Sequence, residues 1–259
     1  MTKKSQKPLM IFAAERSGST IFFSIISEYL RQTQGVTGVV EFFNQTLCID
    51  EKDGQITSRF QERPIEGFFK TEISRRLNIL SENPGRYFFK VMSSQIYRKD
   101  QYRWLAANYD WVFVERRNLF EQYLSYLISI ETNIFYAKDG VRLPERSIRG
   151  GVRFRKAFMN SFWLYKIAKI HCRPSRVLVY EDYLERPSPT EILQSLGLPT
   201  ESFDEKLVRL PSQQNEGDKL RFFIHPKSII RSYKRSFLNQ IRPFELDNAF
   251  SRTDVSSGN

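Results

Sequence analysis

The first pattern along the chain is a compact apolar run, PLMIFAA at residues 8–14. Such a run reads as a strand buried on both faces, the kind that parallel sheets use. A polar stretch follows, ERSGST at 15–20, and then IFFSIISEYLRQ. There Ile21, Phe22, Ile25, Ile26, Tyr29 and Leu30 fall at helical spacing. The chain therefore opens as strand, Gly/Ser loop, helix. Further apolar blocks predict strands at 38–43 (GVVEFF), 87–92 (YFFKVM), 111–115 (WVFVE) and 176–180 (RVLVY). Helical patterns are read at 119–131, 154–171 and 189–196. Strands alternating with helices predict an α/β fold with a central, mostly parallel sheet.

Two segments break that alternation. Residues 51–81 are polar and mixed, and read as a helical excursion over the sheet edge. Residues 138–156 carry Arg142, Arg146, Arg149, Arg153 and Arg155 beside Gly140, Gly150 and Gly151. That composition reads as a mobile basic loop, or equally as a solvated one. No repeat, low-complexity tract or linker divides the chain. One domain is expected over 1–250, with 251–259 (SRTDVSSGN) as a frayed polar tail.

Composition narrows the class. At 259 residues, 41% hydrophobic and 14% aromatic, the chain has ample material for a packed core and is not a disordered one. Its two cysteines, Cys48 and Cys172, make neither a disulfide framework nor a zinc cluster, so a reducing, cytoplasmic setting is expected. No apolar run approaches the roughly 18 residues a membrane span needs. The 40 Lys and Arg against 29 Asp and Glu leave a charge of +11. That charge suits nucleic acid, an anionic membrane surface or a small polyanion, and composition does not choose among them.

The first loop narrows that choice. A strand–loop–helix unit with small residues at its turn brings backbone N–H groups and the positive end of a helix to one point, a phosphate site by geometry. Against the pattern G-x-x-x-x-G-K-[ST], AAERSGST has Gly18 and Thr20 in place, but Ala13 stands at the first Gly and Ser19 at the Lys. Arg16 is the cation instead, two residues before Gly18. The bland alternative is a plain tight turn that uses glycine for its freedom. A second basic site follows the strand 111–115. Glu115, Arg116, Arg117 and Asn118 mark its end, and Ser125 lies eight residues after Arg117, two turns into the next helix. Ligands of open α/β sheets sit at the carboxyl ends of strands, where both sites fall. Two phosphate-sized sites suggest a ligand phosphorylated twice; the alternative is an Arg117–carboxylate pair and a buried helical serine.

Together these segments resemble the PAPS-dependent sulfotransferases, an offshoot of the P-loop fold. That family's (K/R)-S-G-(S/T)-T loop is matched by Arg16, Ser17, Gly18, Ser19 and Thr20, and its Arg–Ser spacing by Arg117 and Ser125. The segment 177–199, VLVYEDYLERPSPTEILQSLGLP, is similar to the family's strand, Y-E-D turn, helix and L-G-L-P ending. The resemblance is closest to bacterial carbohydrate sulfotransferases of the trehalose type, whose loop also begins with Arg. It implies a three-layer P-loop-like fold and 3′-phosphoadenosine 5′-phosphosulfate (PAPS) as cofactor, with no metal required. The sulfuryl group would pass to a hydroxyl of a small molecule or glycan, and no nucleic-acid partner is expected.

The same resemblance implies roles for residues. Arg16 and the loop would hold the 5′-phosphate, Arg117 and Ser125 the 3′-phosphate, and Tyr180 would pack near the adenine. Glu181 and Asp182 would hold their turn. Lys90 of FFKVMSS matches a lysine that meets the sulfuryl group, while Met92 stands where aryl and steroid members carry a histidine base. Of the two histidines, His171 ends a helix and His225 lies in an unassigned segment. The carboxylate base of the trehalose-type branch corresponds to Glu41; the other reading of Glu41 is a solvent-facing cap on an edge strand. The C-terminal element that closes on the 3′-phosphate lacks its usual pattern, leaving Lys219, Arg221, Lys227, Arg231 and Lys234 without individual roles. The competing functions are a P-loop nucleotide or small-molecule kinase, a basic nucleic-acid-binding protein, and a sulfotransferase-like protein that binds PAPS without turnover. A homodimer is a candidate assembly.

Overall fold

The computed structural model describes residues 7–52, 55–132, 145–149, 152–172, 176–183, 188–210 and 219–239. The tail expected at 251–259, Arg142 and the glycines 140, 150 and 151 lie outside the described residues, as does the side chain of Arg153.

Strand β1 (Leu9–Ala13) is buried throughout and sits in the middle of a five-stranded sheet. Its neighbours are β5 (Tyr87–Met92) and β6 (Asp110–Glu115). The edges are β2 (Thr37–Val39) and β7 (Arg176–Val179), in the order β2-β5-β1-β6-β7. Every pairing in this sheet is parallel, with Ile11 opposite both Lys90 and Val112. The fold is α/β.

Alternation along the strands feeds two apolar layers. Leu9, Ile11, Ala13, Phe88, Met92, Val112 and Val114 pack with α1 (Ser19–Gln34) and α6 (Pro189–Ser195). Met10, Phe12, Phe89, Val91, Trp111 and Phe113 face the other way, onto α2 (Ile73–Glu82), α3 (Lys99–Asn108) and α5 (Val152–Cys172). Helices thus cover both faces of the sheet. A third apolar cluster joins α4 (Leu119–Thr132), the first half of α5, the bridge at Ile148 and α7 (Pro226–Asn239).

Three sequence expectations are corrected. The strand expected at 38–43 ends at Val39, because only Thr37, Gly38 and Val39 pair with β5. Residues 40–43 turn, and Phe42 and Phe43 go into the core beside Phe89 rather than continuing the strand. Residues 51–81 are not a helical excursion throughout: β3 (Leu47–Lys52) and β4 (Gln55–Phe60) form an antiparallel hairpin, and helix begins only at the π-turn Phe68–Glu72. The last strand stops at Val179, and Tyr180 opens a 3₁₀ turn. Helices α3 and α7 answer to no expectation. Residues 145–149 are pinned to the C-terminal segment: Ile148 is buried and bridges Phe223, and the Arg146 N–H donates to the Arg221 carbonyl at 2.9 Å. Among the described residues no helix is long and apolar enough to cross a membrane.

Candidate functional site

The loop after β1 delivers the chain into α1 through Gly18, whose φ of 84° lies in the left-handed region. No side chain caps the first turn of α1, so its leading N–H groups face the loop without a side-chain acceptor. A Cβ on Gly18 would stand 2.1 Å from Tyr180 Cδ2, so backbone angle and space both demand glycine there. Tyr180 therefore packs on this loop, and the Arg116 guanidinium lies 5.0 Å over its ring. The Ser17 hydroxyl is buried with no hydrogen-bond partner, and the Ser19 hydroxyl points at Met92 Sδ, 3.9 Å away.

Lys90 brings a buried cation to the loop, in which Ser19 stands at the usual lysine position. Period-2 alternation on β5 puts Lys90 on the same face as Phe88 and Met92, the face covered by α1. Its side chain is 2% exposed. The Nζ donates to Thr20 Oγ1 at 2.9 Å and lies 3.5 Å from Glu41 Oε1. Burial pushes the Lys90 ammonium below the usual lysine range; the Glu41 carboxylate opposes this, and the Arg16 guanidinium adds to it.

Glu41 reaches this point from a turn rather than a strand. Its φ is 55°, and its Oε2 accepts from Asn44 Nδ2 at 2.8 Å and Gln95 Nε2 at 3.0 Å. Arg16 also has a left-handed backbone, φ 60°, and its Nε donates to Ser125 Oγ at 3.1 Å. Non-glycine residues avoid this region, and such outliers gather where the surrounding structure enforces them for a purpose. Among the described residues Arg146 is the third one.

The second expected site is arranged differently. Arg117 does not meet Ser125; its guanidinium spans the Asp182 carboxylate, with Nη2–Oδ2 at 3.0 Å. Glu181 accepts the backbone N–H groups of Arg117 and Asn118 at 2.9 and 3.0 Å, so it braces the turn before α4 rather than its own. The Ser125 hydroxyl accepts from Arg16 of the first loop.

Three contributors escaped the sequence reading. Arg76 is fully buried; its guanidinium donates to the carbonyls of Phe42, Asn44 and Leu47 and to Glu72, so one side chain ties the turn bearing Glu41 to α2. Its only sequence signal is the Glu72–Arg76 spacing, which reads as a surface pair. Gln95 fixes Glu41, as described. Glu15, the first loop residue, accepts from the Ser161 hydroxyl, which in turn meets Ser93 at 2.6 Å. Part of the residue is exposed, but its Oε1 is wholly covered. Burial pushes its carboxyl up to about 7, against a hydrogen bond from Ser94 and helped by the charge of Glu41.

No family model and no curated protein matches this sequence. Among solved structures, a sulfotransferase from Alicyclobacillus acidocaldarius is similar over 96% of this chain and 97% of its own, with a TM-score of 0.44 and 12% identity. A likeness that distant transfers no residue role, and the chemistry rests on this chain's own side chains.

Proposed function

We propose that the protein is a sulfotransferase that moves the sulfuryl group of PAPS to an acceptor hydroxyl of a carbohydrate or another small molecule. The observation that carries this reading is the meeting of Lys90 with Thr20 and Glu41 beside the uncapped start of α1, with the Arg16 charge acting on the same lysine. Uncapped amides, a buried hydroxyl without a partner at Ser17 and two cations fit an anionic, phosphate-like group.

Arg16 and the amides of Ser17–Thr20 would hold the 5′-phosphate, and Lys90 would place positive charge beside it. Arg117 at the other edge would take the 3′-phosphate, and Tyr180 would lie near the adenine. When bound, PAPS supplies the sulfuryl group and a bisphosphate that leaves. Glu41 takes the proton of the acceptor hydroxyl, held in place by Asn44, Gln95 and, through the turn, Arg76. Taking up that proton neutralises Glu41 and leaves the Lys90 ammonium uncompensated, a charge then available to an anion. Thr20, which in a P-loop kinase holds Mg²⁺, here accepts from an ammonium, an arrangement that favours sulfuryl over magnesium-dependent phosphoryl transfer.

The test is calorimetric titration with adenosine 3′,5′-bisphosphate and with ATP–Mg²⁺, followed by incubation with ³⁵S-labelled PAPS and a panel of hydroxyl acceptors. The bisphosphate is expected to bind more than about tenfold tighter, and label to pass to an acceptor. Tighter binding of ATP–Mg²⁺ would make the protein a kinase instead.

A further inference from the structure

The charge of +11 is not spread evenly. The segments packed around the third apolar cluster are 119–132, 145–149, 152–160 and 219–239. They hold eleven Lys and Arg against three Glu, a net +8, which leaves +3 for all the rest of the chain. Helix α7 shows how this charge is displayed. Ile229 and Tyr233 pack into the cluster, while Lys227, Arg231 and Lys234, at i, i+4 and i+7, lie on the opposite face and are exposed. Beside them the hydrogen bonds between 146–148 and 221–224 hold Arg146, Arg149 and Arg221, all exposed, next to the start of the helix. Among the described residues none of these six cations is in a salt bridge, whereas Lys219 of the same segment is held by Glu121 at 2.6 Å.

We infer that this face docks on an anionic phospholipid bilayer. Charge complementarity is the first argument: a cluster of basic residues on one face of a helix is attracted to the negative surface potential of such a membrane. The second is the apolar content of the patch. Ile224, 38% exposed, stands among the cations, and among the described residues the phenylalanine and tyrosine rings of these segments are buried or half-buried. An apolar side chain amid basic ones suits the boundary between headgroups and acyl chains. A nucleic-acid face is expected to offer several rings for stacking, and among the described residues of these segments the exposed ring is the His225 imidazole. The apolar face of α7 is already buried in the protein, so the contact is electrostatic, reversible and sensitive to salt. This inference stands apart from sulfuryl transfer and holds or fails without it.

The test is co-sedimentation of the full chain with phosphatidylcholine vesicles, plain or containing about 30% phosphatidylglycerol, at about 0.1 M and 0.5 M salt, beside duplex DNA at the same salt. Binding is expected only to the anionic vesicles and is expected to be lost at the higher salt. The triple variant Lys227→Glu, Arg231→Glu, Lys234→Glu should bind at least about 100-fold more weakly with an unchanged circular dichroism spectrum, and Lys227→Ala alone should bind several-fold more weakly. Equal binding to plain vesicles, or full binding by the triple variant, would overturn the inference. DNA bound more tightly than anionic vesicles would overturn it too and would give the patch to nucleic acid.

Discussion

The two basic sites at the carboxyl edge of the sheet differ in kind. At the first, Lys90 is 2% exposed, and every charge meets a partner from a distant part of the chain: Lys90 with Glu41 and Thr20, Arg16 with Ser125. At the second, Arg117 is 62% exposed and pairs with Asp182, itself 45% exposed. A buried ion is costly unless its partners are fixed, so the first site is built with its geometry in place. An exposed pair contributes little and rearranges cheaply, so Arg117 can leave Asp182 for a phosphate at small cost. One edge of the sheet thus carries a buried, fixed cluster and an exposed, adaptable pair, which the proposed function uses for chemistry and for binding.

Breaking the rigid side gives the largest effects. Glu41→Gln keeps the shape of the side chain and its contact with Gln95 but cannot take a proton. Turnover should fall by about 10²–10⁴, while affinity for adenosine bisphosphate, read by calorimetry, stays near that of the parent. Near-normal turnover would remove Glu41 as base.

Glu15 adds a pH signature to the same region. Its folded value of about 7 lies above the ordinary 4.5, so between those values the folded state binds more protons than the unfolded one. This group's contribution is complete below pH 4.5 and is lost as pH rises toward 7, by at most about 3 kcal/mol. Glu15→Gln should abolish that part of the slope, so denaturant midpoints taken from pH 4.5 to 8 should fall less steeply than in the parent. Parallel curves would show that the carboxyl is not buried as described.

Gly18→Ala tests the loop itself. A positive φ and the Tyr180 ring together should cost about 1–3 kcal/mol of stability, measured by thermal melting. A smaller side chain at 180, as in Tyr180→Ala, should recover the steric share but not the backbone share. The smallest effect belongs to the adaptable side. Arg117→Ala should change stability by less than about 1 kcal/mol and weaken adenosine bisphosphate binding about tenfold. A stability loss as large as that expected for Gly18→Ala would mean that Arg117 is structural.

Much of this was legible locally. The apolar runs of β1, β5 and β6 are buried on both faces, and the spacing of Ile21 to Leu30 sets the buried side of α1, so period and length sufficed for them. Where local signals misled, longer-range packing was the reason. In GVVEFF the two phenylalanines would suit a strand, yet they turn into the core beside Phe89, and this turn gives Glu41 its left-handed backbone. Arg76 looks like a surface residue in RRLNIL and is the most deeply engaged cation among the described residues.

The sequence by itself determined the α/β class, the strand–loop–helix with glycine at its turn and the candidacy of Arg16, Glu41, Lys90 and Arg117, because each rests on neighbours within a few positions. Only the tertiary structure decided their partners. That Lys90 meets Thr20, seventy positions away, follows from β5 lying beside β1 in the sheet. That Ser125 accepts from Arg16 follows from how α4 meets the loop. Charge obeyed the same division: its sum is written in the composition, but its concentration on one lobe exists only once 145–149 and 219–239 are brought together. Pairings across the chain depend on which surfaces pack, and no local period encodes them.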